Sequence, residues 1–164
     1  MDNQKEEFYT ARGYEIAAGD SALTPSMEDY LEMIYRLSKE TGYTRVNELA
    51  ESLNVQPPSV TKMIQKLHEK ELLNYEKYGM IHLTEEGARL GKYFLERHNT
   101  LREFLSLVGA KEHLQKDVER IEHYISWDTY LIIHALTCFM KENKEVLYQF
   151  NEYKTKYSQH LQRL

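Results

Sequence analysis

The fold is decided by residues 45–70, which read RVNELAESLNVQPPSVTKMIQKLHEK. Apolar residues recur at helical spacing on both sides of the break at 54–56, which predicts one helix over 45–53 and another from Pro57 to about Lys70. Proline suits the first position of a helix because its missing N–H would have no partner there. The stretch therefore predicts a helix-turn-helix.

The flanking sequence extends this unit. Thr24 is a candidate cap for a preceding helix that runs to about Lys39, and Gly79 separates two short β-prone runs that predict a hairpin over 72–83. The order of three helices followed by a hairpin is that of a winged helix-turn-helix. We therefore predict a mainly α protein in which residues 24–92 form a winged helix-turn-helix DNA-binding domain with a small β-hairpin wing.

The remainder of the chain is predicted to be helical. Thr84 caps a long helix that ends near Gly109. Three more helices are predicted over 111–125, 127–140 and 144–164. Residues 93–164 are accordingly predicted to form a second, helical domain, and residues 1–23 an N-terminal extension to which we assign no role.

Composition limits the classes of protein that the chain can belong to. It has 164 residues, of which 41% are hydrophobic and 29% charged, and this excludes a disordered tail. The net charge of −5 argues against a uniformly positive surface but allows a local basic face. The single cysteine, Cys138, excludes an internal disulfide and a multi-cysteine zinc site. No signal peptide or membrane span is recognisable, so we expect a cytoplasmic protein.

The second helix of the helix-turn-helix has the side chains that DNA contact requires. Residues 52–68 contain two lysines and no acidic residue. Lysines and hydroxyls bind phosphate oxygens, and Gln65 is long enough to reach a base edge. The candidate DNA contacts, including one at the hairpin tip, are Arg45, Gln56, Pro58, Ser59, Thr61, Lys62, Gln65, Lys66 and Lys77. The alternative is an ordinary packing unit with a solvated polar face.

A carboxylate and histidine cluster is predicted near the middle of the second domain. Glu119, Glu122 and His123 have the spacing i, i+3 and i+4, which places them on one face of a helix over 111–125. Two carboxylates and an imidazole at one patch favour a bound cation that offsets their charge. The alternative is solvated surface.

Three further residues are candidates for the same chemistry. Asp29 and Glu32 form an acidic pair at i and i+3 on the first helix. His98 lies on the long helix, where we expect it opposite Phe94 and Leu101. Each of them taken alone is also compatible with an ordinary surface position.

Enzymatic chemistry finds little support. The sequence has no glycine-rich phosphate loop, no His-Glu-x-x-His and no serine elbow. Cys138 lies in an apolar helix and is interpreted as a packing residue rather than a nucleophile. We therefore expect a protein that is not an enzyme.

Four stretches occur in an informative order: TPSMEDY at 24–30, PSVTKM at 58–63, YEKY at 75–78 and DVERIEH at 117–123. Together they resemble the manganese-responsive branch of the diphtheria-toxin-repressor family, closely from Leu23 to Trp127 and more loosely beyond. The resemblance implies a Mn²⁺-dependent repressor of manganese uptake genes that binds double-stranded operator DNA as a homodimer. It implies no membrane partner and no small organic substrate.

The resemblance also implies a metal centre and its ligands. The implied ligands are Asp29, Glu32, His98, Glu119, Glu122 and His123, holding two Mn²⁺ ions per subunit. Carboxylates and imidazoles without sulfur suit Mn²⁺ or Fe²⁺. By binding residues of both domains, the metal would fix the spread of the two recognition helices in the dimer.

The chain departs from the family pattern in several places. The iron-responsive branch has sulfur-bearing residues at two ligand positions, where this chain has Asp29 and Glu119, and it adds an SH3-like domain for which this chain is expected to end too early. The extension at 1–23 has no counterpart, and Pro57-Pro58 replaces a single proline.

Four alternatives to a Mn²⁺-dependent regulator stay open. An Fe²⁺-responsive regulator stays open because carboxylate and imidazole donors also suit Fe²⁺. A regulator that senses a small organic ligand would not need six convergent metal ligands. A metal-dependent enzyme would need a substrate pocket beside 119–123. A purely structural dimerisation module would not need the acid-free face of 57–68.

Overall fold

A computed structural model of the chain describes residues 23–76 and 79–161, with the side chains of 158–161 left undescribed. Apart from Leu23, the predicted extension lies outside these residues, and so does Lys77. The described part is mainly α-helical and divides into two compact units, with the boundary between Phe94 and Leu95.

The first unit has the predicted order of helices and strands. Its elements are α1 Pro25–Ser38, β1 Thr44–Arg45, α2 Val46–Ser52, α3 Pro57–Glu69, β2 Leu73–Tyr75, β3 Met80–Leu83 and the first part of α4 Glu85–Leu107. The predicted winged helix-turn-helix is confirmed.

Local signals set the ends of these helices. The Thr24 hydroxyl accepts a hydrogen bond from the Met27 N–H at 3.4 Å, and α1 begins at the proline that follows. Between α2 and α3 the chain reverses at Asn54, whose φ of 53° lies in the left-handed region that asparagine tolerates. The turn therefore follows from residue chemistry.

The wing is a three-stranded antiparallel sheet in the described residues, with the strand order β1-β3-β2. Leu73 lies opposite Leu83, and Thr44 lies opposite Ile81. The hairpin of β2 and β3 was predicted, but β1 was not, because two residues carry no periodicity. The buried Thr44 donates its hydroxyl to Glu48 Oε2 at 2.9 Å, which connects β1 to the start of α2.

A close backbone approach fixes the start of α4. A Cβ on Gly87 would lie 1.8 Å from the carbonyl oxygen of Leu72, so the position excludes every side chain. The Thr84 hydroxyl accepts from the Gly87 N–H at 3.1 Å and donates to the Glu71 carbonyl at 2.9 Å. The first turn of α4 is therefore held against the residues that lead into β2.

Apolar side chains of the helices and the sheet share one core in the first unit. Its fully buried members are Leu31, Ile34, Leu49, Val60, Ile64, Leu67, Leu73 and Ile81. Because α3 contributes Val60, Ile64 and Leu67 to this core, its other face is left for solvent or a partner.

The second unit is helical throughout its regular elements. These are the rest of α4, α5 Leu114–Ile121, a 3₁₀ turn Glu122–Tyr124, α6 Trp127–Glu142 and α7 Lys144–Leu161. The prediction of a single helix over 111–125 was wrong at both ends. Ser126 accepts from the Thr129 N–H at 3.2 Å as the cap of α6, and the chain is already extended at Ile125, so the preceding helix must finish earlier.

Polar contacts connect α4 to the helices that follow it. Lys141 on α6 donates to Glu103 Oε1 at 2.6 Å, and this hydrogen bond raises the pKa of the Lys141 ammonium. Lys154 on α7 donates to the Val108 carbonyl at 2.8 Å, just after α4 ends. No helix within residues 23–76 and 79–161 is long and apolar enough to cross a membrane.

Candidate metal centre and nucleic-acid interface

Four candidate ligands come together within the second unit. His98 on α4 places Nδ1 2.9 Å from Glu122 Oε2 and 3.9 Å from Glu119 Oε1. His123 Nε2 lies 3.8 Å from the other oxygen of Glu122. The cluster combines α4, α5 and the 3₁₀ turn, and Glu122 is at its centre.

Glu122 is buried with one carboxylate oxygen unsatisfied. Its side chain is 1% exposed, and Oε2 accepts the hydrogen bond from His98. Among the described residues Oε1 has no hydrogen-bond partner. An unpartnered buried acceptor costs about 1–3 kcal/mol and more when it is charged, so native proteins seldom keep one without a bound ion or water. The centre therefore has a buried acceptor without a hydrogen bond, and a cation would be favoured beside it.

The hydrogen bond from His98 also sets the chemistry of its ring. A carboxylate can only accept, so Nδ1 carries the proton. In the neutral ring Nε2 then carries the lone pair, which is the form in which imidazole binds metal. Glu122 thus fixes the orientation of the His98 ring through one oxygen and leaves His98 Nε2 available to a metal ion.

The structure corrects two details of the sequence interpretation. Glu122 and His123 lie on the 3₁₀ turn, so they do not share a continuous helical face with Glu119, whose side chain is 48% exposed. His98 and Phe94 are each 4% exposed and Leu101 is 2% exposed, so His98 lies on the buried side of α4 with these two residues and not opposite them. Residues three apart in a helix lie on the same side.

Asp29 and Glu32 lie on α1 in the first unit. Asp29 is half-buried and Glu32 is buried, where it forms an ion pair with Arg36 one turn further along α1. Burial raises the pKa of the neighbouring Tyr30 phenol, and the negative charge of Asp29 raises it further. Sequence reasoning missed Arg36, although its i, i+4 spacing from Glu32 would have indicated the pair.

The candidate DNA contacts that the structure describes lie away from the core. On or next to α3, the exposed candidates are Gln56, Pro58, Ser59, Lys62, Gln65 and Lys66. Thr61 on the same helix is half-buried. The Thr61 hydroxyl donates its proton to the Pro57 carbonyl at 3.1 Å. While it does so, it can accept a hydrogen bond but cannot donate one to a phosphate oxygen. Arg45 is exposed, and its guanidinium lies 5.8 Å from the ring centre of Tyr43.

A groove of about 470 Å³ opens in the second unit. It is lined by Glu96, Asn99, Thr100, Glu103, Trp127, Tyr130, Leu131 and His134. A metal-dependent enzyme would need a substrate pocket beside residues 119–123, but the lining of this groove contains none of them.

A winged helix-turn-helix joined to a helical unit with a carboxylate and imidazole cluster defines a class of DNA-binding transcriptional regulators. Residues 22–81 match the family described as iron dependent repressor, N-terminal DNA binding domain. Residues 84–147 match the iron dependent repressor, metal binding and dimerisation domain. The chain belongs to the iron-dependent repressor family.

Individual relatives agree with the family. The chain is 49% identical over 122 residues, 74% of its length and 85% of the relative's, to the HTH-type transcriptional regulator MntR of Shouchella clausii (strain KSM-K16). Among solved structures, the manganese regulator SloR superposes with a TM-score of 0.61 at 27% identity over 70% of this chain. A manganese-dependent transcriptional repressor in complex with manganese gives 0.57 at 26% identity over 68% of the chain. The aligned part is about half of each solved chain, 54% and 52%.

We expect the substitution His98→Ala to destabilise the metal-free protein. It removes the partner of Glu122 Oε2 and leaves a buried carboxylate unpaired, so the free energy of unfolding should fall by about 2–3 kcal/mol. Chemical denaturation in the presence of a chelator measures this change.

The matched control is His113→Ala, because the side chain of His113 is 67% exposed and lies 3.9 Å from a surface carboxylate. That change should stay within about 0.5 kcal/mol of the wild type. Equal effects of the two substitutions would contradict the assigned burial and pairing of Glu122.

Proposed function

We propose that the protein is a Mn²⁺-dependent regulator that represses manganese uptake genes by binding operator DNA as a homodimer. The observation that carries the proposal is the buried Glu122 carboxylate, which has an oxygen without a hydrogen bond beside two imidazoles. DNA binding and regulation follow from the family to which the chain belongs. The choice of metal, the ligand set and the coupling between metal and DNA are the parts that need experiment.

The proposed ligands fit a hard divalent cation. They are Asp29, Glu32, His98, Glu119, Glu122 and His123, with two ions per subunit. Carboxylate oxygens and imidazole nitrogens suit Mn²⁺ and Fe²⁺, and no thiolate is present to favour softer ions. The bound ion would neutralise the negative charge at the Glu122 oxygen that has no hydrogen bond.

Two observations favour manganese over iron. The matched family is named for iron, but SloR is described as a manganese regulator, and another similar structure is a manganese-dependent repressor in complex with manganese. The chain also has Asp29 and Glu119 where the resemblance to the iron-responsive branch would require sulfur-bearing residues. Because Mn²⁺ stands lowest in the general affinity order, selectivity would come from geometry and donor number.

We propose that metal and DNA are coupled through the two domains. Asp29 and Glu32 belong to the DNA-binding part, residues 24–92, and the other ligands to the metal-binding and dimerisation part, residues 93–164. Ligation from both parts would restrict how far apart the two α3 helices of a dimer can move, which favours one half-site spacing. A coupling of about 1–3 kcal/mol is typical, and it is reciprocal.

The second copy is proposed to cover α6. This helix exposes large apolar side chains that a monomer would leave in water: Trp127, Leu131, Ile132, Leu136 and Phe139. Cys138, which we had interpreted as a packing residue, is also exposed on this helix in the single chain. Contiguous exposed apolar surface marks an interaction site, and the matched domain is described as a dimerisation domain.

We expect Phe139→Glu to weaken the dimer. The side chain is 49% exposed in the single chain, so a carboxylate there should be tolerated by the monomer but costly in an apolar interface. Sedimentation equilibrium should show a rise of about tenfold or more in the dimer dissociation constant. The control Phe139→Leu keeps an apolar side chain at the same position and should change the constant much less, and an unchanged Phe139→Glu dimer would place the interface elsewhere.

We expect operator binding to require Mn²⁺. Duplexes are first selected from a randomised library with the Mn²⁺-loaded protein, and their affinity is then measured by fluorescence anisotropy with Mn²⁺ or with a chelator. The coupling above corresponds to an affinity about 5–150-fold higher with Mn²⁺. Equal affinity under both conditions, or no selected sequence, would contradict the proposal, and Fe²⁺ in place of Mn²⁺ tests the alternative metal.

We expect Lys62→Ala to weaken binding to all duplexes alike. An exposed lysine on α3 is proposed to contact phosphate, which carries no base information, so the salt slope of log K should become shallower by about one. The exposed Lys144 at the start of α7 is the control, and Lys144→Ala should leave both quantities unchanged. Identical behaviour of the two variants would show that α3 does not enter the groove as proposed.

A further inference from the structure

Arg36 is an unexpected neighbour for a proposed metal ligand. Its Nη2 is in contact with Oε1 of Glu32, one helical turn earlier on α1. The Glu32 side chain is 11% exposed and that of Arg36 is 36% exposed. The guanidinium therefore lies at the edge of a largely buried carboxylate.

The carboxylates of the proposed centre are thus not equivalent. Glu122 Oε1 is buried without a hydrogen bond, whereas Glu32 is already neutralised by a cation that belongs to the chain. A permanent positive charge competes with a divalent ion for the same oxygens and repels it across a short distance. Glu32 should consequently be less available than Glu122 to bind a divalent ion.

We propose that Arg36 is a positioning residue that holds Glu32 in the metal-free protein and thereby sets the Mn²⁺ concentration at which the centre fills. The inference rests on the proposed function, because it needs Glu32 to be a metal ligand. Because the Arg36 side chain is 36% exposed, its guanidinium can move into water when a metal ion binds the carboxylate. Arg36 therefore lowers metal affinity without blocking the site.

The test compares Mn²⁺ affinity in charge-removing and charge-keeping variants. Isothermal titration of the metal-free dimer with Mn²⁺ should give about tenfold tighter binding for Arg36→Met and for Arg36→Gln. Arg36→Lys keeps the charge and should remain within about threefold of the wild type. Unchanged or weaker binding in both neutral variants would overturn the proposal.

A matched ion pair on α4 controls for the loss of an arginine. Arg89 Nη2 lies 2.6 Å from Glu86 Oε1 at i, i+3 spacing, and both residues lie outside the proposed ligand set. Arg89→Met should leave Mn²⁺ affinity unchanged. Thermal melting adds a readout that is independent of DNA: metal-free Arg36→Met should melt below the wild type and gain more from added Mn²⁺, whereas Arg89→Met should gain only as much as the wild type.

Glu32→Gln separates failure of this inference from failure of the proposed function. If wild-type protein binds no Mn²⁺, the proposed function fails. If Mn²⁺ binds and Glu32→Gln leaves its affinity unchanged, Glu32 is not a ligand, and the inference fails while the metal centre stands. If Glu32→Gln weakens binding but neither neutral Arg36 variant tightens it, the competition by Arg36 alone is overturned.

Discussion

The proposed metal centre depends on the buried carboxylate of Glu122, which lies between the imidazoles of His98 and His123. It is withdrawn from water, with one oxygen bound by His98 and the other without a hydrogen bond in the described residues. Apolar packing alone would favour a leucine here, so a buried carboxylate indicates that something else stabilises its charge. A divalent cation would do so, and the neighbouring imidazoles are ligands that such an ion binds together with carboxylates.

Charge is distributed unevenly along the chain. A net charge of −5 opposes contact with DNA, yet residues 52–68 hold two lysines and no acid. The acid-free stretch includes α3, whose apolar face is consumed by the core and whose polar face is open. Acidic residues elsewhere in the chain include those of the proposed metal centre. Cations bound there would offset part of the negative charge that opposes contact with DNA phosphates.

Much of the fold could be predicted because local chemistry determined it. Thr24 marks a helix start because its hydroxyl accepts a hydrogen bond from an N–H that has no partner within the helix, and Pro57 marks another because it has no N–H to leave unpaired. The apolar spacing of α3 corresponds to its buried side chains. The strand β1 escaped prediction because its pairing with β3 is non-local. The helix over 111–125 was predicted too long because apolar spacing continued past Ile121, while the cap at Ser126 required the chain to be extended before it.

The sequence predicts which residues are candidates for the site, but it does not predict which of them are buried. Spacing and charge selected Glu119, Glu122 and His123, but no pattern distinguishes the exposed Glu119 from the buried Glu122. That difference arises where the helix tightens into a 3₁₀ turn, which depends on tertiary packing. The last helix shows the same limit, since Tyr153 and Tyr157 are aromatic residues at i, i+4 spacing, which favours a buried face, and both are nevertheless exposed.

The central claim is that the buried carboxylate of Glu122 binds Mn²⁺ together with the neighbouring imidazole of His123, and a double-mutant cycle on Mn²⁺ affinity tests it most directly. Glu122→Gln, His123→Ala and the double variant are titrated beside the wild type. We predict strong coupling, so that the loss of affinity in the double variant is much smaller than the sum of the two single losses. Losses that add to within about 0.5 kcal/mol would show that the two side chains act independently and contradict a shared ion.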